Sequence, residues 1–186
     1  LRLFGAAARR AQMQQTLLGA VDELKTACVT PDALEETAAR CPGYLGDKLH
    51  DLALVLAAYD AVTAQGHADP TDRLTRLAER IPKSTLGHTG QFYLDGFTDY
   101  TRQELAVVRA LLTAGADVTV CLTLDALTDG NEIFGTARHT ARVLLDMADD
   151  CGVPTTVEAC PARAADTPLR VLEQQLFSYT SAHFDD

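Results

Sequence analysis

Apolar residues recur at three- and four-residue intervals through the first half of the chain, and the period changes at Gly90. From Gln12 to Ala27 the apolar positions are Met13, Leu17, Leu18, Val21 and Leu24, which line one face of a helix. Thr30-Pro31-Asp32 restarts a short helix, with Thr30 as N-cap, Pro31 at the first helical position and Leu34 opening the apolar side. Cys41-Pro42-Gly43 breaks it. A long helix is expected from Tyr44 to Gln65, with Leu45, Leu49, Leu52, Leu56, Tyr59 and Val62 inward and Gly66 as C-cap. Asp69-Pro70 caps a further helix from Thr71 to Arg80, which Pro82 ends.

Beyond Gly90 the reading is of alternating strand and helix. Gln91–Asp95 is a short strand, Thr101–Ala114 a helix with Leu105, Val108, Leu111 and Leu112 inward, and Asp117–Leu124 a second strand rich in Val, Thr and Leu. Gly115 ends the helix between them. Strand, crossover helix and strand form a βαβ unit, which is expected to be parallel and right-handed. Phe134–Asp150 reads as another helix, Pro154–Ala159 as a third strand and Pro168–Tyr179 as a last helix. The fold class is therefore α/β: an N-terminal helical subdomain over residues 1–88, then a parallel βαβ part over residues 89–186. The boundary falls in the polar stretch Lys83–Gly90.

Composition refines this picture. The 186 residues are enough for a substantial core, and their hydrophobic content of 47% is ordinary for a globular protein. No apolar run approaches the roughly 20 residues that cross a bilayer, and no signal peptide is read at the start. The chain opens on Leu1 without an initiator Met, so it is expected to be a piece of a longer protein. The five cysteines are odd in number and hold no Cys-x-x-Cys spacing, so they read as small buried side chains of a reducing, cytoplasmic compartment. Charge is uneven. Residues 1–88 hold 10 Lys and Arg against 11 Asp and Glu, a net of −1, while residues 89–186 hold 6 against 15, a net of −9. Surfaces that bind nucleic acid are basic, so any DNA contact is expected on the first half or outside the chain.

The candidate chemistry centres on residues 91–104. An aspartate at the carboxyl end of a buried strand is where nucleotide-dependent enzymes hold Mg²⁺, and Asp95 stands there. Its other reading is a strand-end aspartate that caps the following turn. In a working motor the next residue is a second carboxylate that polarises water; here it is Gly96. Gly96 reads as loss of the base, as a turn residue with unusual dihedrals, or as both. Thr101 with Glu104 three residues on reads as a capping box at a helix start. No Gly-x-x-x-x-Gly-Lys-Ser/Thr loop occurs, so tight ATP binding by this chain is not expected. No metal ligation or triad spacing involves the histidines. No catalytic residue and no metal site is assigned.

The run Leu94-Asp95-Gly96-Phe97-Thr98-Asp99-Tyr100-Thr101-Arg102-Gln103-Glu104 resembles the degenerate Walker B segment of the AddB (RexB) family, the helicase-like subunit of the bacterial AddAB helicase–nuclease. Active superfamily-one helicases have Asp-Glu-Phe-Gln-Asp-Thr at this place. The likeness continues through Lys48–Leu54, Tyr59, Asp69–Leu74 and Asp117–Thr123, and covers residues 15–180. It implies that residues 1–88 are a helical insertion and that residues 89–186 are the Walker-B-side part of an inactivated RecA-like domain. Asp95 would be a vestigial Walker B acid. Gln103 would sit near the residue that couples ATP to DNA. Asp125 would end the sensor strand, and Arg163 would fall where helicases place an arginine that meets the γ-phosphate. A surface role for Arg163 stays open.

The resemblance further implies a non-catalytic scaffold in DNA double-strand break processing, with the whole complex recognising Chi. The piece itself is expected to be inactive, whereas the parent complex is an ATP-dependent helicase and exodeoxyribonuclease. The partner implied is an AddA-type helicase–nuclease subunit, with DNA met through the parent complex and no membrane contact. No cofactor is expected in this piece. For the full subunit the resemblance leaves room for ATP with Mg²⁺ and for an iron–sulfur cluster. Two other classes stay open: a piece of an active P-loop ATPase or helicase, and a helical protein-interaction module without a DNA role, to which the net charge of −10 lends some weight.

Overall fold

The computed structural model describes residues 1–65 and 69–160. Three helices open the chain: α1 (Ala11–Thr26), α2 (Pro31–Arg40) and α3 (Tyr44–Thr63). The α2 start is as the sequence dictates, with Pro31 in the first turn and the Thr30 hydroxyl accepting the Ala33 N–H. Their apolar faces meet in a core of Val21, Leu34, Ala53 and Leu56, flanked by Leu24, Leu49, Leu52 and Tyr59. Val21 and Leu56 are 1% exposed, each contributing about 1.5–3 kcal/mol of burial.

The inward face expected for α3 holds only in its middle, because Leu45 and Val62 are exposed. At the start of α3 the buried position is Gly46, packed against the Ala38 and Cys41 carbonyls, and the adjacent Leu45 stays outside that contact. The helix stops at Thr63, with Ala64 as its cap residue; the expected cap at Gly66 lies outside the described residues.

Asp69 caps a short 3₁₀ turn, Pro70–Asp72, that leads into α4 (Arg73–Arg80). The helix ends at Arg80 as expected, and Pro82 sits inside a second 3₁₀ turn, Ile81–Lys83, before the five-residue α5 (Thr85–Thr89). Strand β1 (Gln91–Leu94), helix α6 (Arg102–Ala114) and strand β2 (Asp117–Val120) form the expected βαβ unit, with parallel pairing of Gln91 to Asp117 through Leu94 to Val120. Gly115 closes α6 at φ +88°, a left-handed conformation that glycine takes without penalty. A second core joins Ile81, Leu111 and Ala116, with Phe92, Val107 and Val118 against it. Helix α7 (Gly135–Asp150) follows a 3₁₀ turn at Glu132–Phe134.

Two strand expectations are corrected. β2 ends at Val120 rather than Leu124. Its partner β1 supplies four residues and then turns at Gly96, so after the Cys121 N–H donates to the Leu94 carbonyl no further ladder bond is on offer. Pro154–Ala159 is not a strand: among the described residues none of its backbone groups bonds to β1 or β2, and extended chain without a partner is not sheet. The last expected helix, Pro168–Tyr179, lies outside the described residues, as does Arg163.

Candidate functional site

The parallel pairing places the C-terminal ends of β1 and β2 on one edge, and Asp95 is the first residue past that edge. Its side chain is exposed, and among the described residues its one hydrogen bond is from the adjacent Gly96 N–H at 2.8 Å. Gly96 has φ +82° with open space where a Cβ would lie. The obstacle to a carboxylate here is therefore the backbone: an L-residue in this left-handed conformation costs about 1–2 kcal/mol. The turn has taken a shape that suits glycine, so exchanging the side chain alone does not recreate a strand-end pair of acids.

The loop after Gly96 is held on both sides. Phe97 and Tyr100 stack with ring centroids 4.8 Å apart. The Thr140 hydroxyl of α7 donates to the Thr98 carbonyl at 2.9 Å. Burial, and then the nearby Glu104 and Cys121, raise the Tyr100 pKa. At Thr101 the capping box forms as read: the Thr101 N–H donates to Glu104 Oε2 at 2.7 Å, and the Glu104 N–H donates to the Thr101 hydroxyl at 3.3 Å. Gln103 is 5% exposed and turns away from the strand edge. Its amide donates to the Thr71 carbonyl at 2.7 Å and to the Thr75 hydroxyl at 3.1 Å, fastening α6 to the 3₁₀ turn and α4.

Asp125 does not stand free beside Asp95. It accepts the Asn131 N–H at 2.5 Å, the Ala126 N–H at 2.8 Å and Arg138 Nη1 at 2.9 Å, while Arg138 Nη2 donates to the Asn131 carbonyl at 2.6 Å. These contacts, the Asn131 amide foremost, hold the Asp125 pKa below the usual carboxylate value. Asp125, expected to end the second strand, lies beyond the end of β2 at Val120 and folds its own loop. Among the described residues no three His, Cys, Asp or Glu side chains gather so as to hold a metal ion.

Sequence reasoning missed the buried ionic centre of the helical part. Lys25 Nζ lies 2.9 Å from Asp60, 3.2 Å from Asp69 and 2.7 Å from Asp72, and 5.4 Å from the centre of the Tyr59 ring. The Lys25 and Asp69 side chains are 8% and 1% exposed, and the group lines a cavity of about 690 Å³ between α1, α3 and α4. Burial pushes the Lys25 pKa down, and the bonds to Asp72, Asp60 and Asp69 more than reverse it, so the net direction is up. A signal was present: Lys25 is one turn after Val21 and Asp60 one turn after Leu56, so both prolong an apolar stripe.

Asp51, 0% exposed, was also missed as a structural group. It accepts the backbone N–H groups of Arg2, Leu3 and Phe4 at 2.6, 2.8 and 3.0 Å. Burial raises its pKa, and those three bonds, Phe4 first, bring it below the ordinary value.

Comparison with known proteins places this architecture. The family model described as ADDB, N-terminal matches residues 1–173. The B subunit of the ATP-dependent helicase/deoxyribonuclease of Desulforudis audaxviator (strain MP104C) is 38% identical over 197 residues, covering 99% of this chain and 17% of the relative. The same subunit of Heliobacterium modesticaldum (strain ATCC 51547 / Ice1) is 36% identical, covering 82% and 13%, and that of Geobacillus thermodenitrificans (strain NG80-2) is 34% identical, covering 94% and 16%. The chain spans no more than 17% of the length of these relatives. By its match over residues 1–173, the chain belongs to the AddB N-terminal family.

Proposed function

We propose that this chain is a non-catalytic scaffold region of an AddB-type subunit in DNA double-strand break processing. In this reading the helical part corresponds to the insertion of a superfamily-one helicase domain, and the β1–α6–β2 unit to its Walker-B side. Unwinding is then the work of an AddA-type partner subunit, and ATP, Mg²⁺ and any iron–sulfur cluster belong to the full proteins. Asp95 is read as the remnant of the Mg²⁺-binding acid. The observation that carries the reading is the strand-end Asp95 followed by Gly96 at φ +82°, a turn with neither a second carboxylate nor a conformation that favours one. No role at a γ-phosphate is built on Arg163.

Two measurements test it. The purified chain is expected to hydrolyse no ATP above buffer, and Gly96→Glu is expected not to change that; turnover that disappears in Asp95→Ala would overturn the reading. The subunit that carries this chain is expected to co-purify with a co-expressed AddA-type helicase–nuclease, and its Asp95→Ala variant to leave the ATPase rate of the complex unchanged. Failure to co-purify would leave no place for the scaffold role.

A further inference from the structure

The net charge of −10 hides a concentration of positive charge: four of the ten basic residues among the first 88 lie between Arg73 and Lys83, where Glu79 is the one acid. Arg73, Arg76, Leu77 and Arg80 follow the spacing that puts residues on one face of α4, and Lys83 comes directly after in the 3₁₀ turn. The opposite side of this segment is occupied, since Ile81 packs into the core with Leu111 and Gln103 ties α6 to Thr75.

The cations themselves are free. Arg73, Arg80 and Lys83 are exposed, and among the described residues none of them lies within 4.0 Å of an acid. Asp72, next to Arg73, is held by Lys25, and the exposed Glu79, next to Arg80, forms no ion pair with any of them. Arg76 is committed to the Asp69 carbonyl at 2.9 Å, which pins the middle of the row. Leu77 is 45% exposed and gives the row an apolar floor. Elsewhere among the described residues, Arg2 and Arg109 are paired with Asp47 and Asp150, and Arg9 and Arg10 form an exposed pair of neighbours before α1.

We propose that this face of α4, with Arg73, Arg80 and Lys83 as its contacts, binds the phosphodiester backbone of a nucleic-acid strand. Arg73 and Arg80 are two turns apart, about 10 Å along the helix axis, which is the rise of roughly three nucleotides of one strand. Contacts of this kind position a strand without reading its sequence. The proposal rests on the DNA-processing role proposed above, and adds where in this chain the strand is met.

The test is fluorescence anisotropy of the full 186-residue chain with a labelled single strand and, separately, a labelled duplex, over a range of salt concentrations. The variant Arg73→Gln/Arg80→Gln/Lys83→Gln is compared with Arg9→Gln/Arg10→Gln/Arg40→Gln, which removes the same charge from exposed sites elsewhere in the helical part. The α4 variant is expected to flatten the slope of log K against log salt by roughly 2 for the single strand, at about 0.7 per phosphate lost, and to weaken low-salt binding roughly tenfold. A loss on duplex alone would assign the face to duplex DNA.

The second variant is expected to bind as the parent does. Melting curves confirm that both remain folded; should the triple variant unfold, the single changes Arg73→Gln and Lys83→Gln are each expected to lower the slope by about 0.7. Equal losses in the two triple variants would show bulk charge and overturn the proposal, as would undetectable binding by the parent chain. So would unchanged DNA binding in an α4 variant that loses a poly-glutamate probe, since the face would then take an acidic protein. None of these outcomes bears on co-purification with the helicase–nuclease partner, so the two proposals fail separately.

Discussion

The helical part and the strand-bearing part use their carboxylates in opposite ways. In the helical part, Asp51 and Asp69 are almost wholly buried: Asp51 accepts three backbone amides, and Asp69 caps the Thr71 N–H with Oδ1 while Oδ2 has Lys25 Nζ at 3.2 Å as an ion-pair partner and no hydrogen bond. In the strand-bearing part the two acids at the strand edge and its loop stay at the surface: among the described residues Asp95 hydrogen-bonds to its neighbour Gly96 alone, and Asp125 folds an exposed loop. A buried charge must be paired or it destabilises the fold, whereas an exposed one is nearly indifferent. The acids on which folding depends are therefore in the half where no chemistry was expected. The acid with the most suggestive sequence context carries almost no structural duty.

The strongest way to break this comparison is to remove the buried cation. Lys25→Met should leave Asp69 without its partner and cost about 3 kcal/mol, the low end for a broken buried pair because the adjoining cavity admits water. Urea unfolding reads it, and a cost indistinguishable from zero would mean that the ionic centre is solvated.

Asp51→Asn comes next, at about 2 kcal/mol for charge-assisted bonds to three amides. Its pH dependence follows from the sign of the shift. The Asp51 pKa is lower folded than unfolded, so its contribution is complete above the unfolded value near about 4 and is lost as pH falls through the folded value. Stability of the parent chain should fall on acidification below about pH 4, and the Asn variant should fall less steeply.

Gln103→Ala should cost about 1–2 kcal/mol, since it strips partners from the Thr71 carbonyl and the Thr75 hydroxyl. Hydrogen exchange should show the loss at α4 as well as at α6; a change confined to the first turn of α6 would mean that Gln103 is not a tie between the two regions. The smallest effect is expected for Asp95→Ala, with no resolvable shift in the unfolding midpoint. A clear destabilisation there would make Asp95 a folding residue and remove the ground for reading it as the remnant of a metal site.

Periodicity and turn chemistry carried much of the fold in advance. The Thr30–Pro31 start, the Thr101–Glu104 capping box and the Gly115 stop are local devices, and the structure has each of them. Misreadings arose where the outcome depends on a distant neighbour. Leu122 and Leu124 look like strand residues, but β1 has no more backbone to offer them. Leu45 and Val62 fit the α3 stripe but stay exposed, and the helix start packs on α2 through Gly46 instead. Gln103 read as part of a helix start, yet its partners lie some thirty residues earlier in the chain.

By itself, the sequence determined the helices α1 to α4, the βαβ unit, the helix α7, the place of Asp95 at a strand end and the missing carboxylate after it. Those follow from interactions within a few residues, whose energetics are the same wherever the segment sits. Tertiary structure alone decided that Lys25 draws in three aspartates, that Asp51 captures the start of the chain, that Asp125 is spent on its own loop and that the α4 cations are left unpaired. Each of those outcomes depends on which charges the fold brings within a few ångströms of one another and on how much water is left between them, and neither is written in the spacing along the chain.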